Sequence, residues 1–264
     1  MNDQDSKVRY FGCEAMYNIC KVEGPLALQF FNEIFDSLCK LSADPEKSVK
    51  DGAQLLDRLI KDIVCEADSF DVERFIPLLE QRIIHAHPFV RQFLIGWITT
   101  LESVPTVELL QHLPKILDGL FFMLGEKNKE ISMEVGNCLN IFLNEIKDKK
   151  EEVDFATMTN ILVFHCNTLS NPEQLTHYVA LGWLNEFIGY GKEKMLPLIP
   201  ELLSSVIPSL SFSVSDIKSA ALLTNTSLLN LFEHTTSPER IPLEKMICLL
   251  FSVYLFFYTQ TFFF

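Results

Sequence analysis

The stretch 90–105, VRQFLIGWITTLESVP, carries the pattern that decides the fold. Its apolar residues recur at spacings of three and four, which is typical of one face of an amphipathic helix. They are Phe93, Leu94, Trp97, Ile98 and Leu101. The opening pair, Val90-Arg91, also recurs at a fixed distance along the chain. Val8-Arg9, Val49-Lys50, Val90-Arg91 and Ile131-Ser132 follow one another at intervals of 41 residues, and Ile217-Lys218 comes 86 residues later, which is two periods of 43.

A period of about 40 residues with two helices per unit is typical of HEAT and armadillo arrays. We therefore predict an all-α fold, a HEAT/armadillo-type α-solenoid of about five helical-hairpin repeats. The predicted organisation is a partial repeat at 1–25 (second helix only), a solenoid at 26–232, a linker at 233–245 and an apolar tail at 246–264. A start on half a repeat is expected for a truncated fragment or an abbreviated gene product.

The first complete unit illustrates the predicted hairpin. Its first helix carries apolar residues from Leu28 to Leu41, and Pro45 follows because proline does not continue a helix. Its second helix places six residues on one core stripe: Ala53, Leu56, Leu59, Ile60, Ile63 and Val64. We expect Leu59→Ala to cost about 2–5 kcal/mol of stability through the cavity it leaves. The basic residue that opens a second helix, such as Arg91, is expected to pair with a turn carboxylate, Asp44 or a neighbour.

Composition limits the function. The net charge of −13 disfavours nucleic acid as a direct partner and broad adsorption to anionic lipid. Seven scattered cysteines without a Cys-x-x-Cys pair indicate a reducing compartment, and the polar first ten residues lack a secretory signal. We expect a cytoplasmic protein.

The tail 246–264 has 19 residues without a charge, eight of them aromatic. It is a non-homologous chain end, the first helix of a repeat cut short, or a membrane anchor.

No catalytic, cofactor or metal site is predicted. Cys166 and its neighbour His165 have the residue types of a catalytic thiol and its base. Adjacent residues on a helix point about 100° apart, however, which disfavours a thiol hydrolase. His85 and His87 lack a third zinc ligand nearby. The string Gly189-Tyr190-Gly191-Lys192 lacks the upstream glycine and the following Ser/Thr of a phosphate loop, and we predict a turn that joins two repeats.

A more specific signal comes from an ordered set of strings between Val8 and Phe232. It includes RYFGCEAMYNI (9–19), LLDRLIKDIV (55–64), FIPLLEQRI (75–83), VRQFLIGWI (90–98), LESVP (101–105), LPKILDGLF (113–121) and NILVFHC (160–166). Together these strings resemble the Vac-fourteen family of HEAT-repeat scaffolds, which are vacuole-morphology proteins.

The resemblance implies a non-catalytic scaffold, peripheral on endosome and vacuole membranes. Members of that family organise the phosphatidylinositol-3-phosphate 5-kinase with an opposing Sac-type phosphatase, and so control synthesis and turnover of phosphatidylinositol 3,5-bisphosphate. The N-terminal HEAT region is associated with the kinase, whereas a separate C-terminal domain binds the phosphatase and self-associates. Since this chain departs from the family after about Glu233, the resemblance implies the kinase-docking part. The alternatives are a generic HEAT adaptor with a different partner, or a truncated non-functional fragment.

The helix at 55–64 is the predicted docking surface. It is among the strings that carry the resemblance, and it has charged side chains off its core stripe. We expect Leu55, Arg58, Lys61 and Asp62 to contact the kinase.

Overall fold

The computed structural model describes residues 1–84, 87–149, 153–167 and 174–251. All regular secondary structure within these ranges is helical, and they contain no β-strand. The all-α class predicted from the 41-residue period is therefore confirmed. By its contacts the chain divides into two compact units, Met1–Phe142 and Leu143–Phe264.

The first unit is built from helical pairs joined by short turns. Its α-helices are α1 (Ser6–Glu23), α2 (Phe31–Leu41), α3 (Lys47–Glu66), α4 (Val72–Ile83), α5 (Pro88–Glu102), α6 (Leu113–Leu124) and α7 (Lys129–Asp148), which runs past the unit boundary. The second helices α1, α3 and α5 pack in sequence, and so do the first helices α2, α4 and α6. Two helical layers result, as stacked hairpins require.

The second unit repeats this arrangement. Its helices are α8 (Phe155–Asn167), α9 (Gln174–Gly191), α10 (Ile199–Leu210) and α11 (Ser215–His234), and residues 243–251 are also helical. The first helix α8 packs on α10, and the second helix α9 packs on α11. Polar bonds cross between the second helices 42 or 43 residues apart in the chain. Thr224 Oγ1 donates to the Leu181 carbonyl over 3.3 Å, and Ser227 Oγ to Asn185 Oδ1 over 2.8 Å.

Aromatic side chains fill the core of the first unit. Phe31 and Phe35 of α2 lie edge-on to Phe75 of α4, with ring centroids 5.2 and 4.7 Å apart. Trp97 of α5 is fully buried and contacts the same two rings. Edge-to-face pairs of this kind add to the stabilisation from burial alone. Trp97 therefore packs one hairpin against the preceding one. This agrees with its position on the apolar face of the stretch 90–105.

Two details of the predicted hairpin are wrong. The first helix does not include Leu28, because Gly24–Phe30 forms a 3₁₀ helix and α2 begins at Phe31. Proline at the start of that 3₁₀ segment favours the tighter turn. Leu59 is only half-buried, whereas Leu56 and Ile60 are fully buried. The loss of stability through a cavity that was expected for Leu59→Ala is therefore expected for Leu56→Ala instead.

Arginine–carboxylate pairs connect successive repeats. Arg9 binds Asp44 through two bonds of 2.7 and 2.9 Å, and Arg91 binds Glu126. Each carboxylate follows its arginine by 35 residues, so the arginine reaches forward to the turn of the next repeat. Arg91 therefore pairs with a turn carboxylate, as predicted, but with Glu126 of the next repeat and not with Asp44. Asp44 is taken by Arg9, whose guanidinium lowers the pKa of that carboxyl by hydrogen bonding.

The predicted apolar tail 246–264 is described only up to residue 251, so most of that prediction lies outside the described residues. Within the described ranges, no helix combines the length and the apolar character needed to cross a bilayer.

Candidate functional site

The predicted docking residues lie on α3, and three of them share one exposed strip of that helix. Leu55 is 57% exposed, and Arg58 and Asp62 are also exposed. Together with Asp51 they occupy positions i, i+4, i+7 and i+11, which lie on one face of a helix. The strip is narrow because α1 packs on one side of α3 and α5 on the other.

Lys61 has a different environment. It is half-buried, and its Nζ lies 2.9 Å from Asp57 Oδ2 and 5.4 Å from the ring centroid of Trp97. A Cβ atom at Gly96 would come within 3.3 Å of that Nζ, so glycine in α5 leaves the lysine its space. Lys61 therefore lies in the contact between α3 and α5 and not on the exposed strip.

Asp57 is the centre of this contact. It accepts a 2.7 Å bond from Trp97 Nε1 in addition to the ion pair with Lys61. Burial raises the pKa of the Asp57 carboxyl, while the charge and the hydrogen bond of Lys61 and the bond from Trp97 act to lower it. A carboxylate held in this way fixes the indole and the ammonium together, and so sets how α5 lies against α3.

The helix α1 extends the exposed strip. The residues 41 positions before Asp51 and Arg58 are Tyr10 and Tyr17, both at least partly exposed. The ring of Tyr10 lies against Gly52, where a Cβ atom would be 3.4 Å from Tyr10 Cδ2, and Lys21 Nζ is 6.0 Å from the centroid of Tyr17. Sequence reasoning missed these two tyrosines, although the 41-residue offset applied to the predicted site residues would have found them.

We call this surface the docking strip, and it consists of Tyr10, Tyr17, Leu55, Arg58 and Asp62. Tyrosine and arginine are enriched among the residues that contribute most of the binding energy in protein interfaces. The strip combines them with an exposed leucine and with both signs of charge, on rigid helices. Its composition and placement are suited to binding a protein partner.

The thiol–base pair considered in the sequence does not form a reactive site. Cys166 and His165 are both buried in α8, and burial raises the pKa of the Cys166 thiol, which keeps it protonated at neutral pH. The Gly189–Gly191 string ends α9, and Lys192 then opens a 3₁₀ helix with a φ of 44°. The segment does join two helices, but the first three residues of the predicted turn belong to α9 and only Lys192 lies beyond it.

In the ranges that the structure covers, no group of three or more His, Cys, Asp and Glu side chains is placed to hold a metal ion. His85, considered with His87 as a zinc ligand, lies outside the described residues.

Comparison with known proteins gives a family. Residues 1–62 match the family model described as "Vacuolar 14 Fab1-binding region", and this segment ends at Asp62 of the docking strip. The chain is 45% identical over 227 residues to "Protein VAC14 homolog" of Arabidopsis thaliana, covering 86% of this chain and 30% of the relative. It is 31% identical over 298 residues to the protein of the same name in Schizosaccharomyces pombe, covering 80% of this chain and 36% of the relative.

A third relative is "Vacuole morphology and inheritance protein 14" of Saccharomyces cerevisiae. The identity is 37% over 182 residues, covering 54% of this chain and 21% of that protein. The chain thus spans about a third or less of the length of these relatives. Over the region that it shares with them, the chain belongs to the VAC14 family.

Proposed function

We propose that the chain acts as a non-catalytic scaffold that docks the phosphatidylinositol-3-phosphate 5-kinase, Fab1, through the docking strip of α1 and α3. The observation that carries this proposal is the match of residues 1–62 to a family model whose description names Fab1 binding. That segment contains α1, α2 and most of α3, and so the whole docking strip.

The character of the strip supports a protein partner. Leu55 and Tyr10 offer exposed apolar surface, and Arg58 and Asp62 offer opposite charges at neighbouring positions on one helix face. The predicted residue Lys61 contributes indirectly in this proposal, because it holds α5 against α3 through Asp57. The docked kinase would bring the scaffold to endosome and vacuole membranes as a peripheral subunit. There it would control synthesis of phosphatidylinositol 3,5-bisphosphate.

Co-precipitation of the full chain with the kinase tests the proposal. We expect Arg58→Glu to weaken binding about thirtyfold, which corresponds to about 2 kcal/mol for an interface hot spot. Lys115→Glu is the matched control, since Lys115 is exposed on α6 in the same unit and lies outside residues 1–62. Both variants change the net charge equally, so a general charge effect would appear in both.

Unchanged kinase binding by Arg58→Glu, together with unchanged binding by Tyr17→Ala, would show that the strip is not the docking surface. Failure of the folded wild-type chain to recover the kinase, with recovery of another protein instead, would favour the generic HEAT adaptor.

A further inference from the structure

The segment that follows α11 carries a short sequence pattern that the proposed function does not use. Ser237-Pro238 is the one place in the sequence where a serine or threonine precedes a proline. Arg240 adds a basic residue at the third position after the serine. Proline-directed protein kinases select this proline, which has a fixed φ and no N–H. A subgroup of them, the cyclin-dependent kinases, also selects a basic residue at the third position.

The structure leaves this pattern accessible. Residues 238–240 are exposed, and Ser237 is half-buried. The helix α11 ends at His234, and residues 235–242 contain a single 3₁₀ turn at Pro238–Arg240. A protein kinase binds its substrate as an extended chain, and residues 235–242 can extend without any unfolding of α11. Connections between stacked hairpins lie at the edge of the array, so their exposure does not depend on a bare packing face.

One carboxylate holds this connection in place. Glu193 lies in the 3₁₀ helix Lys192–Leu198, which follows α9. Its carboxylate accepts bonds of 3.1 Å from the Thr235 hydroxyl and from the Thr236 amide. These donors lower the pKa of the Glu193 carboxyl, the Thr236 amide most of all, while partial burial acts to raise it. The Ser237 hydroxyl is among the donors that lower this pKa, so it also donates to the same carboxylate.

A phosphate on Ser237 would turn this attraction into repulsion. A phosphoserine carries a charge of about −1.5 to −2 at neutral pH, and its ester oxygen has no proton to donate. The bond from Ser237 to Glu193 would be lost, and two negative groups would lie within hydrogen-bond range of each other. Thr235 and Thr236 bind the same carboxylate, so their bonds would be weakened with it.

We propose that Ser237 is phosphorylated by a proline-directed serine/threonine kinase that selects a basic residue at the third following position, and that the phosphate releases residues 235–242 from Glu193. In the transfer, Ser237 Oγ attacks the γ-phosphorus of ATP, the bond from that phosphorus to the oxygen of the β-phosphate breaks, and ADP leaves. The catalytic aspartate of the protein kinase accepts the hydroxyl proton. The site lies in the second unit and the docking strip in the first, so the proposal is independent of lipid-kinase docking.

Phosphorylation of the intact chain by a cyclin-dependent kinase with its cyclin and ATP tests the site, and mass spectrometry locates the phosphate. We expect one phosphate at Ser237, and none at this position in Ser237→Ala. Pro238→Ala should lower the initial rate about tenfold or more, because it restores an N–H and frees φ. Arg240→Ala should lower the rate severalfold. Lys245→Ala is the matched control, since this exposed lysine lies outside the pattern and its loss changes the net charge equally.

A synthetic peptide of residues 232–243 provides the reference rate. The intact chain should be phosphorylated within about tenfold of the peptide rate, because the hydrogen bonds to Glu193 open locally. Far slower modification of the intact chain, or a phosphate at another residue in place of Ser237, would overturn the site. Equal rates for Arg240→Ala and wild type would overturn the proposed kinase class.

The modification should also be found on the chain isolated from cells that produce it. We expect the Ser237 phosphopeptide in its tryptic digest, and we expect an inhibitor of cyclin-dependent kinases to deplete it. Absence of this phosphopeptide, or its persistence under the inhibitor, would contradict the proposal.

Hydrogen exchange of the Thr236 amide tests the release, because this amide donates to Glu193. Phosphorylation should speed its exchange about tenfold or more, while amides inside α11 are unchanged. Glu193→Gln is the matched variant, since glutamine keeps an oxygen acceptor and has no charge to repel the phosphate. Phosphorylation should therefore change the Thr236 exchange much less in that variant.

Two results would overturn the release. Unchanged exchange of the Thr236 amide would show that the phosphate does not disturb Glu193. Slower exchange would show that a neighbouring cation, Lys192 or Arg240, binds the phosphate and fixes the connection more firmly.

Discussion

Three leucines of α3 provide a direct test of how this helix is divided between its contacts. Leu56 is fully buried, Leu59 is half-buried and Leu55 is mostly exposed. All three lie within five residues of one helix, so replacement by alanine changes helix propensity equally at each position. Differences in stability among the three variants therefore report packing alone.

The expected magnitudes follow from burial. Leu56→Ala removes a side chain enclosed on all sides and should cost about 2–5 kcal/mol, the range for a buried leucine with its cavity. Leu59→Ala should cost about 1–2 kcal/mol, since only part of the side chain leaves an apolar environment. Leu55→Ala should change stability by no more than about 0.5 kcal/mol, as is usual for exposed positions.

Hydrogen exchange of the α3 amides is the appropriate assay. Stacked hairpins open locally, and the chain forms two compact units, so one global unfolding transition would mix several processes. Urea unfolding followed by circular dichroism serves as a second measurement. Kinase binding should show the opposite order, with Leu55→Ala weakening binding at unchanged α3 stability.

Equal losses for Leu56→Ala and Leu59→Ala would refute this reasoning, because they would place Leu59 in the core stripe as the sequence pattern predicts. A loss above about 1 kcal/mol for Leu55→Ala would show that its exposed surface is covered within the chain. The second result would also remove Leu55 from the docking strip.

The remaining predictions concern titratable groups. Since Arg9 lowers the pKa of Asp44, the Asp44→Asn variant should be less stable than wild type at neutral pH, and the difference in urea midpoint should shrink as the pH falls through the folded-state pKa of Asp44. Asp57 should behave oppositely, because burial raises its pKa. The wild type should gain stability relative to the Asp57→Asn variant as the pH falls through the folded-state pKa of Asp57. This gain should be lost as the pH rises again. A difference that changes in the same direction for both variants would contradict these assignments. Burial raises the pKa of the Cys39 thiol to about 11, so a thiol reagent at neutral pH should modify the exposed Cys65 well before Cys39, as mass spectrometry of the labelled chain can show.

The sequence predicts the architecture well because the period itself is a structural quantity. The interval of 41 residues places α1, α3 and α5 in equivalent positions, and the structure stacks them in that order. The same interval correctly gives Trp97 a core role. What the pattern does not predict is the local start of α2, because a proline and a glycine at its beginning favour a 3₁₀ segment over a longer α-helix.

The candidate site is harder to predict, for a geometric reason. A surface helix of an ordinary domain has one buried face, so residues off the core stripe are expected to be solvated. In a stacked array each second helix has neighbours on two sides, and only a narrow strip stays exposed. Lys61 lies off the apolar stripe of α3 but faces α5, and Leu59 lies at the edge of the stripe. Comparison of α3 with α1 at the 41-residue offset shows which residues off the stripe are in packing contacts. Lys61 corresponds to Cys20, which is buried, and so belongs to a packing face and not to the exposed strip.

The polar contacts between repeats determine how neighbouring hairpins are aligned along one another, and add little to the buried apolar area. A stripe of aliphatic side chains can be packed in more than one register at similar burial, whereas the two bonds from Arg9 to Asp44 require one position. Arg91 and Glu126 form a pair at the equivalent place two repeats later, through a single bond. Lys50, between them in the series, lies 4.9 Å from the ring of Phe89, and Ser132 bonds to the Leu124 carbonyl over 2.8 Å. In these four repeats the residue at the basic position thus contacts an adjacent element, even where the residue has changed.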